Sequence, residues 1–560
     1  MGYDDVFPYL GEFGRYQRRI YLLVCLPAIS CAFHKLAGVF LLKTPSFRCQ
    51  LPFELSNASY QLPDDVFNLS YPIDGFTKKP TTCQYFDANY TDDYFQAGIP
   101  APQTVYCERY IYNYSETFQS STVSEWDMVC NRAWMTATSD SLFMVGVLLG
   151  SIIFGQMSDN WGRKPVFFAS LVLQLIFGIT AGIAPEYITY TISRIIVGAT
   201  TSGVFLVAYV IAMEMVGPTR RLFAGVVSMM FFSLGYMLVG AFAYFITDWR
   251  YLQIALTLPG IFFMAYYWFI PESARWLLSK KRKDEAVIII QKAAKENGVT
   301  IPQEVYDNLI DESATEVKKK PANEPSVLDL FRYPNLRKKS LLIFFDWFVN
   351  SGTYYALSWN TGNLGGNEIV NFVISGAVEI PAYLFLLFTL NRWGRRNILC
   401  GCMLVAGTLL LLTMAVPDGH NWIVVTLAML GKMAITSSYG TVYIFSAEQF
   451  PTPVRNVGLG ASSMVARFGG ILAPYINLLA LIWKPFPLIV LGACAFVGGL
   501  LSLFLPETLN KKLPETIEEG ESFGKKVTKG DVEADAEELK VLTGKNAEKK
   551  LANGNDTNDQ

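Results

Sequence analysis

The chain has 560 residues, 51% of them hydrophobic and 17% charged, with a net charge of −2. That apolar balance excludes an ordinary soluble protein of this size and points to a polytopic membrane protein. The near-neutral charge gives no reason to expect a nucleic-acid partner.

Residues 1–19 carry Arg15, Arg18 and Arg19 ahead of a first apolar run at 20–42. The run is long enough to be a span rather than a cleavable signal. Further runs follow near 137–157, 165–184, 187–213, 222–246 and 251–270, then 340–361, 369–390, 397–416, 422–446, 458–481 and 485–505. Each suffices for a hydrocarbon core of about 30 Å at about 1.5 Å per residue. Twelve spans place both termini on one side. The arginines before the first span, with Arg163, Lys164, Arg220, Arg221, Arg395, Arg396 and Arg455 in short loops, predict that side to be cytoplasmic.

Residues 43–136 form the one long outer loop. They hold Cys49, Cys83, Cys107 and Cys130 and sequons at Asn57, Asn68, Asn89 and Asn113. Four extracytoplasmic cysteines favour two disulfides in any of three connectivities. Four sequons predict a glycosylated cap, against the blander alternative of an unmodified loop with free thiols. Residues 271–339 make a cytoplasmic linker with a solvated helix around Ala286 to Glu296, between Lys280–Lys283 and Lys318–Lys320. Residues 507–560 are charged and poor in apolar residues, so disorder is expected there. The resulting division is 1–19, a first bundle 20–270, the linker, a second bundle 340–506, and the tail.

The two bundles repeat. Gly155-Gln-Met-Ser-Asp-Asn-Trp-Gly-Arg-Lys164 is echoed by Thr389-Leu-Asn-Arg-Trp-Gly-Arg-Arg396, with Gly162 and Gly394 232 residues apart. Glu214 and Glu448, each followed by a Pro-containing loop with Arg220, Arg221 or Arg455, lie 234 apart, and Pro271-Glu-Ser and Pro506-Glu-Thr 235 apart. Duplicated six-helix units are the architecture of transporters that rock two halves about a central site. Asp159, Arg163 and Lys164, with Glu214, Glu272, Arg275, Arg395, Glu448, Arg455 and Glu507, are expected to form switchable ion pairs across the two halves. The competing reading is that these charges only fix topology.

With those motifs quoted, the chain resembles the major facilitator superfamily. Pro271-Glu-Ser-Ala-Arg-Trp-Leu277, Tyr443-Ile-Phe-Ser-Ala-Glu448, Pro453-Val-Arg-Asn-Val-Gly458 and Leu505-Pro-Glu-Thr-Leu509 are similar to the organic cation, anion and carnitine transporter family, from about Gly11 to Thr516. Ala32-Phe-His-Lys-Leu-Ala37 and Asp140-Ser-Leu-Phe-Met144 are similar to its insect organic cation branch. The resemblance implies an all-α fold of twelve helices in two six-helix repeats.

Charges within spans are costly and need a reason. Lys35, Asp346, Glu379, Lys432 and Arg467 qualify, whereas Arg194 is near enough to a helix end to snorkel. Glu379, in Val378-Glu-Ile-Pro-Ala382, is the candidate acceptor for a cation, with Pro381 opening the helix nearby. By resemblance, Phe205, Tyr209, Phe232, Trp347 and Tyr354 line the central cavity, where aromatic faces suit quaternary ammonium groups; they read equally well as packing. Arg467 stands where cation-selective members carry an acid. Glu379 and Arg467 are therefore expected to clamp the two ends of a zwitterion, against a reading in which Glu379 merely pairs with Lys432 or Arg467. His34, Lys35 and Asp346 receive no role.

These residues predict a polyspecific organic cation transporter of the plasma membrane working by alternating access, with carnitine-like zwitterions within reach. The alternatives are a sodium-coupled carnitine carrier, an organic anion exchanger and a non-transporting surface sensor. The partners are a small organic cation or zwitterion and the lipid bilayer, with sodium or proton coupling for a neutral substrate. His34 is the sole histidine in a span, there is no Cys and His ligand set and no phosphate-binding loop, so neither enzyme, metal nor cofactor is expected.

Overall fold

A computed structural model describes residues 3–55, 58–75, 79–114, 119–309, 326–417 and 419–524. Nine helices among the described residues are long and apolar enough to cross a membrane. They are α1 (Arg15–Leu41), α2 (Trp134–Trp161), α3 (Arg163–Gly182), α4 (Tyr187–Met215), α5 (Arg221–Phe245), α8 (Glu368–Trp393), α9 (Arg395–Leu412), α10 (Asn421–Gln449) and α11 (Arg455–Leu478). The other expected runs fall on α6, split by Pro259 into Trp249–Thr257 and Gly260–Met264, on α7 (Pro334–Trp359), and on the shorter α12 (Phe486–Ser502). The protein is a multi-pass membrane protein.

Packing repeats with the sequence. In the first half α2 packs on α4, α4 on α3, α1 on α5 and α3 on α6; in the second α8 packs on α10, α10 on α9, α7 on α11 and α9 on α12. The halves meet along α2 with α11 and along α5 with α8, again a matched pair.

The long loop is held by two short antiparallel pairs, Phe47–Cys49 with Tyr110–Tyr112 and Gln84–Phe86 with Thr104–Tyr106. Cys49 is bonded to Cys107 and Cys83 to Cys130. Arg48 is buried there, its guanidinium pairing with Glu54 at 2.6 Å and donating to the Ser59 and Tyr60 carbonyls. Burial pushes the neighbouring Tyr71 hydroxyl up to about 12. Asn68, Asn89 and Asn113 are exposed, whereas Asn57 lies outside the described residues.

Two segments differ from expectation. The linker helix is Lys283–Asn297, and one face is buried rather than solvated, because Ile290, Ala293 and Ala294 pack inward. Asn297 Nδ2 donates to Leu10 O and Gln17 Oε1, and Arg19 pairs with Glu296 at 2.9 Å. This contact explains why α1 begins at Arg15, before its apolar run. Residues 507–524, expected within a disordered tail, include the helix Ile517–Ser522; Lys339 Nζ donates to Gly520 O at 2.6 Å and Glu521 accepts from the first amides of α7. Lys318–Lys320 and residues 525–560 lie outside the described residues.

Candidate functional site between the two halves

The turn between α2 and α3 explains the first repeated motif. Gly162 has φ +109° and Gly394, its counterpart between α8 and α9, φ +88°, a region open to glycine. Each lets a carboxylate close on the first amides of the next helix, where orphan N–H groups favour negative charge. Glu272 accepts from Arg163 N at 2.9 Å and from Lys164 N at 3.2 Å; Glu507 accepts from Arg395 N at 2.9 Å and Arg396 N at 3.1 Å. The two caps differ electrostatically. Burial raises the Glu272 carboxyl despite its amide donors. Burial also opposes ionisation of Glu507, but the backbone donors of Leu509, Thr508, Arg395 and Arg396 outweigh it and hold that carboxyl below the usual range.

Around each cap the side chains pair within their own half. Arg163 meets Asp159 at 2.8 Å and Glu214 at 3.3 Å, while Arg395 meets Glu448 at 3.1 Å. In this conformation none of these charges pairs across the halves among the described residues, where a cleft separates the halves at this end, so the switchable pairs expected there are open. Lys164 lies over the Tyr267 ring, Arg455 donates to Phe450 O, and Arg220 is exposed. Arg221 and Arg275 share Asp4, at 2.6 and 2.8 Å, so the start of the chain completes this layer.

At the opposite end, which carries the long loop, the halves are closed. Lys43 pairs with Glu368 at 2.6 Å, Phe40 meets Phe372 edge-on, Thr138 Oγ1 lies 3.0 Å from the Tyr475 hydroxyl, and Ser141 Oγ donates to Ile471 O. Between the parted ends lies a cleft of about 600 Å³ reaching from Tyr209 of α4 to Trp347, Tyr443 and Glu448, with Leu459 and Gly460 on its far wall.

Glu379 sits above the cleft. Pro381 offers no N–H to the carbonyl of Ala377, and α8 divides there into Glu368–Ala377 and Glu379–Trp393. The carboxylate is fully buried rather than exposed to a water-filled space. It accepts from the Tyr354 hydroxyl at 2.6 Å and from Ser233 Oγ of the other half at 2.7 Å, and pairs with Lys432 Nζ at 3.3 Å. Lys432 donates to Ser358 Oγ and the Tyr236 hydroxyl, and its ammonium lies 4.5 Å from the Tyr236 ring and 4.6 Å from the Tyr354 ring. No contact joins Glu379 to Arg467 among the described residues.

Trp347 is buried, donates to Ser446 Oγ and meets Tyr443 edge-on at 4.3 Å; Phe205 meets Phe232 edge-on. Asp346 faces Ser502 inside the second half. Arg194 does not snorkel: it is fully buried over the Phe143 ring, donates to His34 O and lies 3.6 Å from Asp140. Sequence reasoning missed Ser233, Tyr236, Ser358, Tyr439, whose ring meets those of Trp347 and Tyr354, and Tyr443. The helical spacing of Lys432, Thr436, Tyr439 and Tyr443 on α10 was the available signal for the last two.

Residues 93–519 match the family described as sugar (and other) transporter. The chain is 66% identical over 532 residues to the organic cation transporter protein of Drosophila melanogaster, covering 94% of this chain and 96% of that one. It is 34% identical over 526 residues to the human organic cation/carnitine transporter 2, covering 92% and 93%. The inward-open xylose transporter of E. coli shares the fold, with a TM-score of 0.59 at 16% identity over 91% of this chain and 100% of that one. The chain belongs to the sugar (and other) transporter family, within the group of membrane transporters that these organic cation relatives form.

Proposed function

We propose that the protein carries organic cations across the plasma membrane by alternating access, with its long loop outside and both termini in the cytoplasm. The names of its relatives support the substrate class. The basic residues of the short loops support the orientation, in which this conformation opens to the cytoplasm. Exposed Asn68, Asn89 and Asn113 are then on the glycosylated side.

The observation that carries the mechanism is the Lys432 ammonium resting on Glu379 between two tyrosine faces. It is a cation site at mid-membrane, held here by the protein's own cation. A substrate ammonium entering through Tyr209, Trp347 and Tyr443 takes up the aromatic faces and the Glu379 charge, and Lys432 retains Ser358. Because Ser233 of the first half also holds Glu379, filling this site alters a bond that spans the halves. Phe205 and Phe232, which meet edge-on, are proposed to wall the same space. The charges around Glu272 and Glu507 find partners across the halves in the opposite state. An inside-negative potential adds about 2.3 kcal/mol per charge per 100 mV.

Uptake of labelled tetraethylammonium by expressing cells, before and after depolarisation, tests this. Saturable, potential-dependent uptake that disappears in Glu379→Gln at equal surface abundance is expected. Uptake no greater than in cells without the protein would overturn it.

A further inference from the structure

Asp346 of α7 points away from the cleft that its neighbour Trp347 lines, and its carboxyl is fully buried inside the second half, where α7 packs on α12 and α12 on α9. A β-carbon on Gly498 of α12 would lie 3.8 Å from Asp346 Oδ1 and 2.5 Å from Met403 Cε of α9. Asn350, one turn along α7, directs its amide nitrogen to Asp346 O at 2.8 Å and to Met403 Sδ at 3.5 Å, and so not to the carboxyl. Asp346 Oδ2 is buried with no hydrogen-bond partner among the described residues.

The contact at Oδ1 is decided by counting hydrogens. Ser502 Oγ lies 2.8 Å from Asp346 Oδ1 and also 2.8 Å from Gly498 O, one turn back on α12. A hydroxyl has one hydrogen. Buried serines of this half give theirs to the carbonyl four residues back: Ser340 to Leu336, Ser358 to Tyr354, Ser446 to Val442 and Ser462 to Gly458. With the Ser502 hydrogen on Gly498 O in the same way, the contact with Asp346 is made by a hydrogen on the carboxyl, donated to Ser502 Oγ.

No countercharge is at hand among the described residues. α12 holds no charged residue. On α9, Arg395 and Arg396 give their amides to Glu507, and Cys400 is the titratable side chain within electrostatic reach of Asp346. On α10, Lys432 pairs with Glu379 and Glu448 with Arg395; on α11, Arg455 donates to Phe450 O and Arg467 lies beside Tyr443. Lys339, earlier on α7, donates to Gly520 O. A carboxylate held here would be uncompensated, whereas a carboxylic acid brings its own donor.

We infer that Asp346 is a proton-binding site that couples cation transport to proton movement, loaded in this conformation and unloaded in the opposite one. This rests on the cation-transport reading above and adds the coupling ion to it. α7 joins the two events. Trp347 lines the cleft, Tyr354, two turns beyond Asp346, donates to Glu379, and α11, which meets the other half through α2, packs along the same helix. A shift of α7 on α9 and α12 that admits water lets the carboxyl release its proton to that water and become a carboxylate. The reverse step takes a proton back from water, and no other bond changes. Proton and cation then alter each other's binding by the same factor.

The test is uptake of labelled tetraethylammonium by wild type, Asp346→Asn and Ser502→Ala, at surface abundance matched by biotinylation. High-potassium medium with valinomycin and nigericin abolishes the potential and sets one pH on both sides. Between about pH 5.5 and about pH 8.5, wild-type uptake is expected to change about threefold or more, and Asp346→Asn to lose that pH dependence. Ser502→Ala keeps the carboxyl but removes its acceptor, so its midpoint pH is expected to move; it carries the test should Asp346→Asn fail to reach the surface. Without nigericin, a pH difference imposed at zero potential should drive net movement of tetraethylammonium between equal concentrations in wild type and not in Asp346→Asn. The wild-type pH profile retained in Asp346→Asn, a flat profile in wild type, or an unmoved midpoint in Ser502→Ala would each overturn the site. Uptake that requires sodium and ignores pH would overturn it as well. Absence of saturable tetraethylammonium uptake in wild type at every pH would strike the cation-transport reading instead.

Discussion

A β-carbon on Gly162 would stand 2.5 Å from Oε2 of Glu272, and one on Gly394 would run into Glu507 in the same way. The first and third sequence motifs are therefore two sides of one device: a glycine that clears the space and a glutamate that fills it. Gly162→Ala combines this collision with a positive φ, and a loss of about 1–3 kcal/mol is expected. Thermal unfolding in detergent checks it, with Gly401→Ala as a control, because a β-carbon there meets nothing within 4 Å.

The two caps respond oppositely to acid. The folded Glu507 carboxyl is held low, so its stabilisation is present above the unfolded carboxylate range of about 4 and is lost as pH falls through the folded value. Glu272 is raised, so protonation favours its folded state. The stability deficit of Glu507→Gln is expected to shrink on acidification. A deficit that grows as pH falls would contradict the assignment.

Lys432→Met leaves Glu379 buried with two hydroxyl donors and no cation. Loss of a buried partner of this kind costs about 3–5 kcal/mol. Adding Glu379→Gln in the same chain is expected to restore most of that stability. A double-mutant cycle on melting temperature measures the coupling; additive effects would show that the two groups do not depend on each other.

Lys43 and Glu368 tie the halves together at the loop end, with side chains about a third and a fifth exposed (34% and 18%). A partly exposed pair contributes about 0.2–1 kcal/mol, so Glu368→Gln should shift the balance toward the opposite state less than about fivefold. The readout is the rate at which a membrane-impermeant thiol reagent reaches, from the loop side, Ser375→Cys, a buried α8 position whose hydroxyl lies 2.9 Å from that of Tyr236. An unchanged rate would remove the pair from the closure.

In the loop, Cys83→Ser is expected to cost about 2–5 kcal/mol. Surface abundance and melting temperature should fall together. The Cys49–Cys107 bond and the buried Arg48 remain to hold the first strand pair.

Much of the architecture was legible because long apolar runs and three recurring offsets leave few alternatives for a duplicated bundle. The six-helix repeat follows from three pairs together, Gly162 with Gly394, Glu214 with Glu448 and Pro271 with Pro506, at offsets of 232, 234 and 235. What the sequence did not disclose depends on tertiary approach. Glu272 and Glu507 look like mobile gate charges, yet their acceptors are backbone amides, which have no sequence signature. Glu379 stands out as an intramembrane acid, but its neutralisation by Lys432 depends on how α8 and α10 pack. Asp4 is an unremarkable acid until folding brings Arg221 and Arg275 to it.

The straps at the parted end each belong to a single half. Asp4 and the helix Lys283–Asn297 fasten to the first bundle, while Ile517–Ser522 fastens to the start of α7 in the second. When the halves rock, residues near 5 and 524 travel with different bodies. Fluorophores at those two positions form a ruler for the transport cycle. Their energy transfer should rise as the cleft between the halves shuts around a substrate, which makes turnover visible one molecule at a time without touching the binding site.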